Sequence, residues 1–529
     1  MDLLVLTGIA LIARSVAAWV VDFAPYTDPA YYSMVAGQLA AGHGFSAPAL
    51  WSFLEVGGHL PDPAILPVPS NGHWMPLTAI VAAGGIVALG DLLGAWRAAQ
   101  VPMILLSTAL VPLTYLVGWE LWRSRRVAIG GALLAILAGP LLLMYPLPDN
   151  FAVFGVAGAG ALWCATRSVS VPRPGPWLIA AGALVGLASL ARVDGLLLAV
   201  APAVAGWIRR GELRGLRGVA WTAGSAVAGL VVLAPWLVRN LAAFGAALPS
   251  AGGHTLLITD YNQQFSIGTD PDLASFLAAG LPSLIGARLA TWAELIGRTA
   301  VLLGGIFVLP FGYGLWAERR RPELRPFVAY FGVMFVVMGA VFTLHAPKGA
   351  FYHSSGAWLP FALPLAVAWL PGAATAVGRA WAFLRRPATH RFLLVAGLAG
   401  ALALALAGSA TLLVGWRDAN AKLTDAAAFL AGAARPGDRV MAYDPSAVYL
   451  LSGRSGVAPP YDDFAVIGSV VEAYDIDWVV ITLRPGETTD PLDLWNGAAG
   501  IDSRGRHPGF LPAEPAFEAP GVRVFEVSR

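Results

Sequence analysis

The sequence predicts an all-α polytopic membrane protein with a small α/β domain at its C-terminus. Three observations lead to this fold class. Of the 529 residues, 57% are hydrophobic and only 12% are charged, roughly half the charge content of a soluble domain. Apolar runs long enough to cross a bilayer recur along most of the chain. After about residue 415 the pattern changes to short, alternating helices and strands.

A membrane-spanning helix needs about 20 apolar residues, and about eleven runs approach or exceed that length. The predicted spans are 3–21, 98–118, 127–145, 151–166, 177–191, 194–208, 219–237, 296–316, 326–344, 355–371 and 391–414. A further apolar run, 76–93, is divided by Gly84, Gly85 and Gly90. We predict that this run forms a helix that lies on or dips into the membrane surface without crossing it.

The loop charges give the predicted orientation. If 76–93 does not cross, the arginine-rich loops all fall on one side of the membrane: 122–126, 167–175, 209–217, 318–325 and 372–391. The excess of Lys and Arg in short cytoplasmic loops then places this side, with the N-terminus, in the cytoplasm. The loops are too short to fold into a nucleotide-binding domain. We therefore expect any chemistry to occur on the extracytoplasmic face of an inner or plasma membrane.

Two domains are predicted. Residues 1–414 form the transmembrane body, in which 22–97 is the first outer loop, and residues 415–529 form an extracytoplasmic α/β accessory domain. The second domain lacks the glycine-rich phosphate-binding motifs that follow a strand in nucleotide sites. The net charge of +2 gives no general attraction to nucleic acid, so no nucleic-acid partner is expected.

Two outer-face acids are the candidate catalytic residues. Asp28 follows the first span within DPAYYSMVAG, and Asp149 follows the third span within PLPDN. A carboxylate at a membrane surface can act as a general base. Both acids also stand where a helix is predicted to begin, so N-capping is the alternative for each.

Cations at or near the same face are candidates for binding an anionic group. They are Arg14, Arg192, Arg239 and Lys348. Ionisable groups at membrane depth are costly and are often functional, and a guanidinium binds phosphate through paired donors. The alternatives are an internal ion pair, Arg192 with Asp194, and a surface position for Lys348.

Aromatic and imidazole side chains near the two acids are candidate substrate contacts: Tyr31, Tyr32, His43, His73 and His353. The acids could also share a divalent metal ion with His43 or His73, because carboxylate and imidazole are ordinary ligands. No metal-binding spacing of the HExxH type supports this. No cofactor is therefore certain, and a divalent metal ion is the one candidate.

Four segments carry a resemblance to a known family: DPAYYSMVAGQLAAGHGFS, PDN, LARVDGLLL and PWLVRNLAAFG. They resemble bacterial glycosyltransferases of the protein O-mannosyltransferase and aminoarabinose-transferase superfamily, over about residues 1–370. The resemblance implies a GT-C-like fold, a polyprenyl-phosphate sugar as donor, and membrane lipid as a partner. It matches Asp28 and Asp149 to the family's acids. Pro29 stands where the protein mannosyltransferases carry Glu, which argues against a protein acceptor.

We therefore expect an inverting membrane glycosyltransferase, in which Asp28 acts as the base and Arg or Lys side chains bind the donor phosphate. The sugar and the acceptor, whether lipid, glycan or protein, are not identified by the sequence. Two other classes remain open. A lipid or sugar transporter or flippase would have paired repeats and broken helices at the midplane. A non-catalytic scaffold would display the C-terminal domain to bind polysaccharide.

Overall fold

The computed structural model describes residues 1–209, 216–249, 253–378, 381–482 and 508–528. The predicted loop 209–217 lies largely outside them. In chain order the α-helices are α1 Asp2–Val20, α2 Thr27–Ala40, α3 Leu77–Leu93, α4 Ala95–Trp122, α5 Arg125–Leu137, α6 Leu141–Met144, α7 Asn150–Ser170, α8 Pro174–Ala191, α9 Val200–Arg209, α10 Leu216–Phe244, α11 Gly253–Leu256, α12 Leu273–Ala278, α13 Leu281–Leu302, α14 Val308–Ala317, α15 Arg325–Ala340, α16 Ala350–Val377, α17 Pro387–Ala433, α18 Pro445–Ser452 and α19 Phe464–Ala473.

The chain divides into two compact units. The first, called here the helical unit, contains residues 1–20, 100–236 and 285–411. The second, called here the mixed unit, contains residues 21–99, 237–284 and 412–529. The mixed unit thus combines the whole first outer loop 22–97 and residues 237–284 with the C-terminal tail, whereas the sequence pattern placed a boundary at 414.

Eight helices in the described part of the chain are long and apolar enough to cross a membrane. The protein is therefore a multi-pass membrane protein, as predicted, but these eight helices are fewer than the about eleven predicted spans. The expected spans 127–145 and 296–316 are each divided between two helices, α5 and α6 for the first and α13 and α14 for the second. The expected span 194–208 is divided into a 3-10 helix, Val193–Ala199, and α9. The run predicted at 76–93 forms α3, which has 17 residues and is shorter than the eight candidate spans.

Small residues allow α7 and α16 to pack closely within the helical unit. A Cβ atom built on Gly356 would lie 2.8 Å from Cα of Gly155, and one built on Gly158 would lie 2.6 Å from Cβ of Ala357. Such close backbone approach is typical of helix packing in membranes. Both contacts lie in the N-terminal halves of the two helices, so they hold the two helix starts near each other.

The mixed unit contains a six-stranded sheet. Its strands are β2 Ala49–Leu50, β4 Val440–Ala442, β5 Gly456–Val457, β6 Trp478–Thr482, β7 Phe517–Ala519 and β8 Val522–Glu526. The order across the sheet is β2-β5-β4-β6-β8-β7. The first four strands run parallel to one another. Strand β8 is antiparallel to β6, and β7 is antiparallel to β8. A separate two-stranded ladder joins β1 Ser46–Ala47 to β3 Val68–Pro69.

The helix and strand alternation predicted for the tail is present, but one strand comes from the first outer loop. Leu50 of β2 is in register with Val457 of β5. The same hydrophobic core contains Tyr31 of α2 and Ile467 of α19. Two-residue strands carry almost no local sequence signal, which is why β2 was not expected.

Candidate functional site

Asp149 lies directly before α7 and caps it, as the alternative reading of this residue expected. Its carboxylate is fully buried and accepts a hydrogen bond from the backbone N–H of Asn150 at 2.5 Å. In the first turn of α16, Nδ1 of His353 lies 2.6 Å from Oδ1 of Asn150 and 3.7 Å from Oδ1 of Asp149. The imidazole stacks on Phe151 with a centroid distance of 3.9 Å. The crossing of α7 and α16 therefore brings a buried carboxylate and an imidazole together.

This pair can do two kinds of chemistry. A carboxylate beside an imidazole can move a proton, and the same two groups can bind a divalent cation. Asp149 and His353 both belong to a group whose ligand atoms are close enough to hold a metal ion. Among the described residues, His353 is the imidazole of such a group, and neither His43 nor His73 is part of one.

Arg192 and Asp194 lie at the break between α8 and the following 3-10 helix. Nε of Arg192 donates to Asp194 at 2.8 Å, so the predicted internal ion pair is present. The other carboxylate oxygen of Asp194 accepts a hydrogen bond from the hydroxyl of Ser354, the neighbour of His353. Within the described residues, Nη1 and Nη2 of Arg192 have no protein acceptor.

Arg14 is fully buried inside the helical unit. Its Nη2 donates to the carbonyl oxygen of Ala135 at 3.1 Å, and its guanidinium lies 4.6 Å from the ring centroid of Tyr145. Ala135 lies in the last turn of α5, which ends where Ala138 adopts a positive φ of 25°. A cation favours the carbonyl end of a helix. The contacts of Arg14 thus support a packing role at this helix end.

Lys348 is exposed in a 3-10 turn, Ala346–Lys348, that precedes α16. The sequence did not single out Arg298, which holds this turn. Nη2 of Arg298 donates to the carbonyl oxygen of Pro347 at 2.5 Å, and its guanidinium lies 4.7 Å from the ring centroid of Tyr352. Arg298 thereby fixes the chain on both sides of Lys348.

Asp28 belongs to the mixed unit and is partly buried in the first turn of α2. The N-cap position is Tyr26, and no side chain makes the capping hydrogen bond there. Asp28 is therefore not the cap of α2. Its negative charge acts on the phenol of Tyr261, whose pKa is raised to about 12, mainly by burial and then by Asp28.

Tyr31 and Tyr32 are fully buried, which supports a packing role for both rings. The hydroxyl of Tyr31 donates to the carboxylate of Glu55 and accepts a hydrogen bond from the backbone N–H of Asn71 at 2.6 Å. Glu55 is also fully buried. Glu55 is not among the predicted site residues, because an acid in an otherwise apolar segment shows no local pattern.

Other groups of the first outer loop also donate hydrogen bonds to the Glu55 carboxylate. It accepts from Nε1 of Trp51 at 3.3 Å and from the backbone N–H of His73 at 3.1 Å. Burial raises the pKa of Glu55, and its hydrogen bonds partly oppose this increase. The rings of Trp51 and Trp74 are stacked 4.0 Å apart beside it. Glu55 thus joins three parts of this loop.

The two other predicted contacts in this loop differ in their surroundings. His43 is exposed, and its Nδ1 lies 2.9 Å from Oε1 of Gln38. His73 is partly buried, and its ring centroid lies 5.5 Å from that of Trp51. His73 therefore packs among the aromatic side chains, whereas His43 faces solvent.

Arg239, from the PWLVRN segment, packs on aromatic rings of the mixed unit. Its guanidinium lies 5.5 Å from the ring centroid of Phe45 and 5.1 Å from that of Phe244. Nη1 donates to Oδ1 of Asn240 at 3.1 Å, and Nη2 donates to the carbonyl oxygen of Phe45 at 3.4 Å. These contacts hold Arg239 against the first outer loop.

Comparison with known proteins gives structural neighbours only. No protein-family model matches the sequence, and no curated protein matches it. The structure is similar to ArnT from Cupriavidus metallidurans bound to undecaprenyl phosphate, with a TM-score of 0.58 and 15% identity, over 99% of this chain and 97% of that one. It is also similar to the apo oligosaccharyltransferase of Archaeoglobus fulgidus, with a TM-score of 0.52 and 12% identity, over 91% of this chain and 69% of that one. The predicted fold class is confirmed: the chain has the GT-C fold of these membrane glycosyltransferases.

Proposed function

We propose that this protein is a membrane glycosyltransferase that moves a sugar from a polyprenyl-phosphate donor to an acceptor hydroxyl. The observation that carries the proposal is the similarity over 99% of the chain to an enzyme whose structure contains undecaprenyl phosphate. A lipid-linked donor can enter such a protein from the membrane. A nucleotide-sugar site, for which the sequence shows no motif, is then not needed.

Arg192 is the leading candidate for binding the donor phosphate. Asp194 engages Nε and fixes the plane of the guanidinium, while Nη1 and Nη2 have no acceptor in the described protein. Two parallel donors of this kind match a phosphate. Arg192→Lys keeps the charge but removes the fork, so we expect weaker donor binding with unchanged expression. Arg239 and Lys348 are secondary candidates, and the enclosed Arg14 is the weakest.

Asp28 is the proposed general base. It takes the proton of the acceptor hydroxyl while the acceptor oxygen forms a bond to C1 of the sugar. The bond from C1 to the donor phosphate oxygen breaks in the same displacement, and polyprenyl phosphate leaves with the electron pair. Cationic donors stabilise the charge of this leaving group. A single displacement inverts the anomeric centre.

Asp149 and His353 are the proposed ligands of a divalent cation. A carboxylate suits Mn²⁺ and an imidazole suits Zn²⁺, and the charge of either bound ion would attract the donor phosphate. Titration of the purified protein with Mn²⁺ in a calorimeter should show binding that Asp149→Asn and His353→Ala weaken. Equal heats for all three proteins would exclude these ligands.

The proposed orientation places the N-terminus in the cytoplasm and the C-terminal tail outside. It depends on the arginine-rich loops described above. A periplasmic reporter enzyme fused after the last residue should be active, and a cytoplasmic reporter at the same position should be inactive. The reverse result would overturn the proposed side of the reaction.

The decisive experiment compares Asp28→Asn with Asp22→Asn, an exposed acid of the same loop. The donor is first obtained from lipid extracts of a deletion strain, as the polyprenyl-phosphate sugar that accumulates and is identified by mass spectrometry. Release of polyprenyl phosphate by the purified proteins is then measured. We expect at least an about hundredfold loss for Asp28→Asn with normal expression, and little change for Asp22→Asn. Near-normal release by Asp28→Asn would make Asp149 the leading candidate base.

A further inference from the structure

Four exposed arginines lie on two short turns between helices of the helical unit. Arg123 and Arg126 lie at the turn from α4 to α5, and Arg319 and Arg320 lie at the turn from α14 to α15. These four side chains are called here the arginine patch. Within the part of the chain that the structure describes, none of them forms an ion pair with a carboxylate.

The two turns are fastened to each other. A guanidinium N–H of Arg321 donates to the carbonyl oxygen of Leu121, and the same guanidinium lies 5.8 Å from the ring centroid of Trp122. In return, Nε1 of Trp122 donates to the carboxylate of Glu318 at 3.3 Å. The two pairs of arginines therefore belong to one continuous surface.

Four acids lie near these turns, and each is bonded to another group: Asp2, Glu120, Glu318 and Glu323. Arg125 binds Asp2 through two hydrogen bonds of 2.6 and 2.7 Å. Arg167 pairs with Glu120, and Arg321 lies 3.4 Å from Glu323. Glu318 accepts hydrogen bonds from two indole N–H groups. Because these acids are bonded elsewhere, the positive charge of the arginine patch is left for an external anion.

Exposed tryptophan rings show the level of the patch relative to the membrane. Trp119, in the last turn of α4, is 39% exposed, and Trp316, near the end of α14, is 60% exposed. The guanidinium of Arg319 lies 4.6 Å from the ring centroid of Trp316. Tryptophan at the ends of membrane-spanning helices is enriched at the level of the lipid headgroups. The arginine patch is therefore within reach of headgroup phosphates.

The patch is a helix length away from the pair formed by Asp149 and His353. Helix α7 begins directly after Asp149 and has 21 residues. In its last turn, Arg167 pairs with Glu120 from the last turn of α4. At 1.5 Å per residue α7 is about 30 Å long, roughly the thickness of the hydrocarbon core. The arginine patch is therefore a separate site at the opposite end of the helical unit.

We propose that the arginine patch binds the phosphodiester headgroup of an anionic phospholipid such as phosphatidylglycerol. A guanidinium binds phosphate through paired donors, and basic pockets between membrane helices bind anionic headgroups. A lipid fits better than a soluble anion, because the exposed rings of Trp119 and Trp316 offer apolar contact to its acyl chains. The inference does not depend on the proposed transferase activity or on which end of the helical unit faces the cytoplasm.

Native mass spectrometry of the full-length protein, released from detergent micelles, measures the lipid that stays bound. Phosphatidylglycerol is the probe, and phosphatidylcholine with the same acyl chains is the comparison without net charge. We expect the protein to bind phosphatidylglycerol at least about tenfold more tightly than phosphatidylcholine. Inorganic phosphate at the same concentration should not displace the lipid, whereas displacement by it would show that the patch binds a free anion.

Two double variants divide the patch between its turns: Arg123→Gln/Arg126→Gln and Arg319→Gln/Arg320→Gln. Each removes two exposed charges, so each should weaken the binding of phosphatidylglycerol at least about tenfold. Because the two turns form one surface, the losses should be similar in size. The melting temperature should be nearly unchanged, since exposed side chains without ion-pair partners contribute little to stability.

Two further variants serve as controls. Arg417→Gln/Arg435→Gln removes the same charge from exposed positions of the mixed unit. Arg192→Lys alters the proposed binding site for the donor phosphate. Both controls should keep the wild-type affinity for phosphatidylglycerol.

Three outcomes would overturn the inference. One is equal binding of the two phospholipids by the wild type. Another is that both patch variants bind phosphatidylglycerol as tightly as Arg417→Gln/Arg435→Gln. The last is a loss of binding in Arg192→Lys without a loss in the patch variants, which would place the lipid at the donor site. The activity of Asp28→Asn is measured separately, so a failure of the proposed function is distinguishable from a failure here.

Discussion

Asp194 of the helical unit and two buried acids of the mixed unit, Glu55 and Asp462, are stabilised by different means. In the helical unit, Asp194 is paired with Arg192 at 2.8 Å. In the mixed unit, Glu55 and Asp462 are bonded by N–H and O–H donors of neutral groups. Among the described residues these two acids form no ion pair within 4 Å. A carboxylate removed from water is costly unless it is paired or hydrogen-bonded, and these acids meet that requirement in the two different ways.

The two arrangements also serve different purposes. An ion pair neutralises charge at a helix break, where few backbone donors are available. A carboxylate that collects several N–H donors fixes the course of a loop, because each bond constrains a different residue. We therefore expect loss of the Arg192–Asp194 pair to act mainly on the stability of the helix break, and loss of the donors to Glu55 or Asp462 to act mainly on loop geometry.

The largest effect is expected from removing residues 419–529. The deletion takes away β5, the sheet partner of β2, and Ile467, part of the core around Tyr31. We expect residues 21–99 to lose their protection from hydrogen exchange, measured by mass spectrometry in detergent, while the helical unit stays protected. Transfer activity should be lost. Unchanged protection of 21–99 would instead support the separable accessory domain 415–529 that the sequence predicts.

A smaller effect is expected from Asp194→Ala. The substitution leaves the partly buried Arg192 guanidinium without its partner. Breaking a fully buried pair in this way lowers the free energy of unfolding by about 3–5 kcal/mol, which is the upper limit here. The midpoint of unfolding in denaturing detergent should fall accordingly. The double variant Arg192→Leu/Asp194→Ala removes both charges and should recover most of the loss. If the single and double variants unfold alike, the pair does not stabilise the helix break.

The smallest effect concerns the pH dependence of stability at Glu55. Burial raises its pKa, so the folded state disfavours the ionised form. The free energy of unfolding should therefore fall as pH rises from the ordinary pKa of a glutamate to the raised pKa of Glu55. The total fall is about 1.4 kcal/mol for each pH unit that separates these two pKa values. Glu55→Gln should remove this slope, and Glu472→Gln, an exposed control, should keep it. Equal slopes for the wild type and Glu55→Gln, measured as melting temperature against pH, would contradict the assignment.

The fold class could be predicted from the sequence because each membrane-spanning helix is recognised from its own run of apolar residues. The start of α7 at its cap Asp149 follows from Asp and Asn at the end of an apolar run, whereas α2 begins one residue before Asp28. The Arg192–Asp194 pair was accessible for the same reason, since its members lie within one turn.

Features that depend on distant parts of the chain were not accessible. The contact between His353 and Asn150 exists because two helices cross at Gly155 and Gly356, and no spacing in the sequence records that crossing. Glu55 and Asp462 hold loops in place only because other segments of the chain donate hydrogen bonds to them. A single acid between apolar residues looks the same whether it is exposed or holds a loop.

The sheet register has a consequence for biosynthesis. Leu50 pairs with Val457, so roughly 400 residues separate the two strands in the chain. At about 5–20 residues per second, the ribosome needs on the order of 20 to 80 seconds to make that stretch. During this interval β2 has an unpaired edge and α2 lacks its tail contacts. The segment that carries Asp28 is therefore exposed to proteases and chaperones until translation is nearly finished, and a chain stalled before residue 456 carries Asp28 in an incomplete setting.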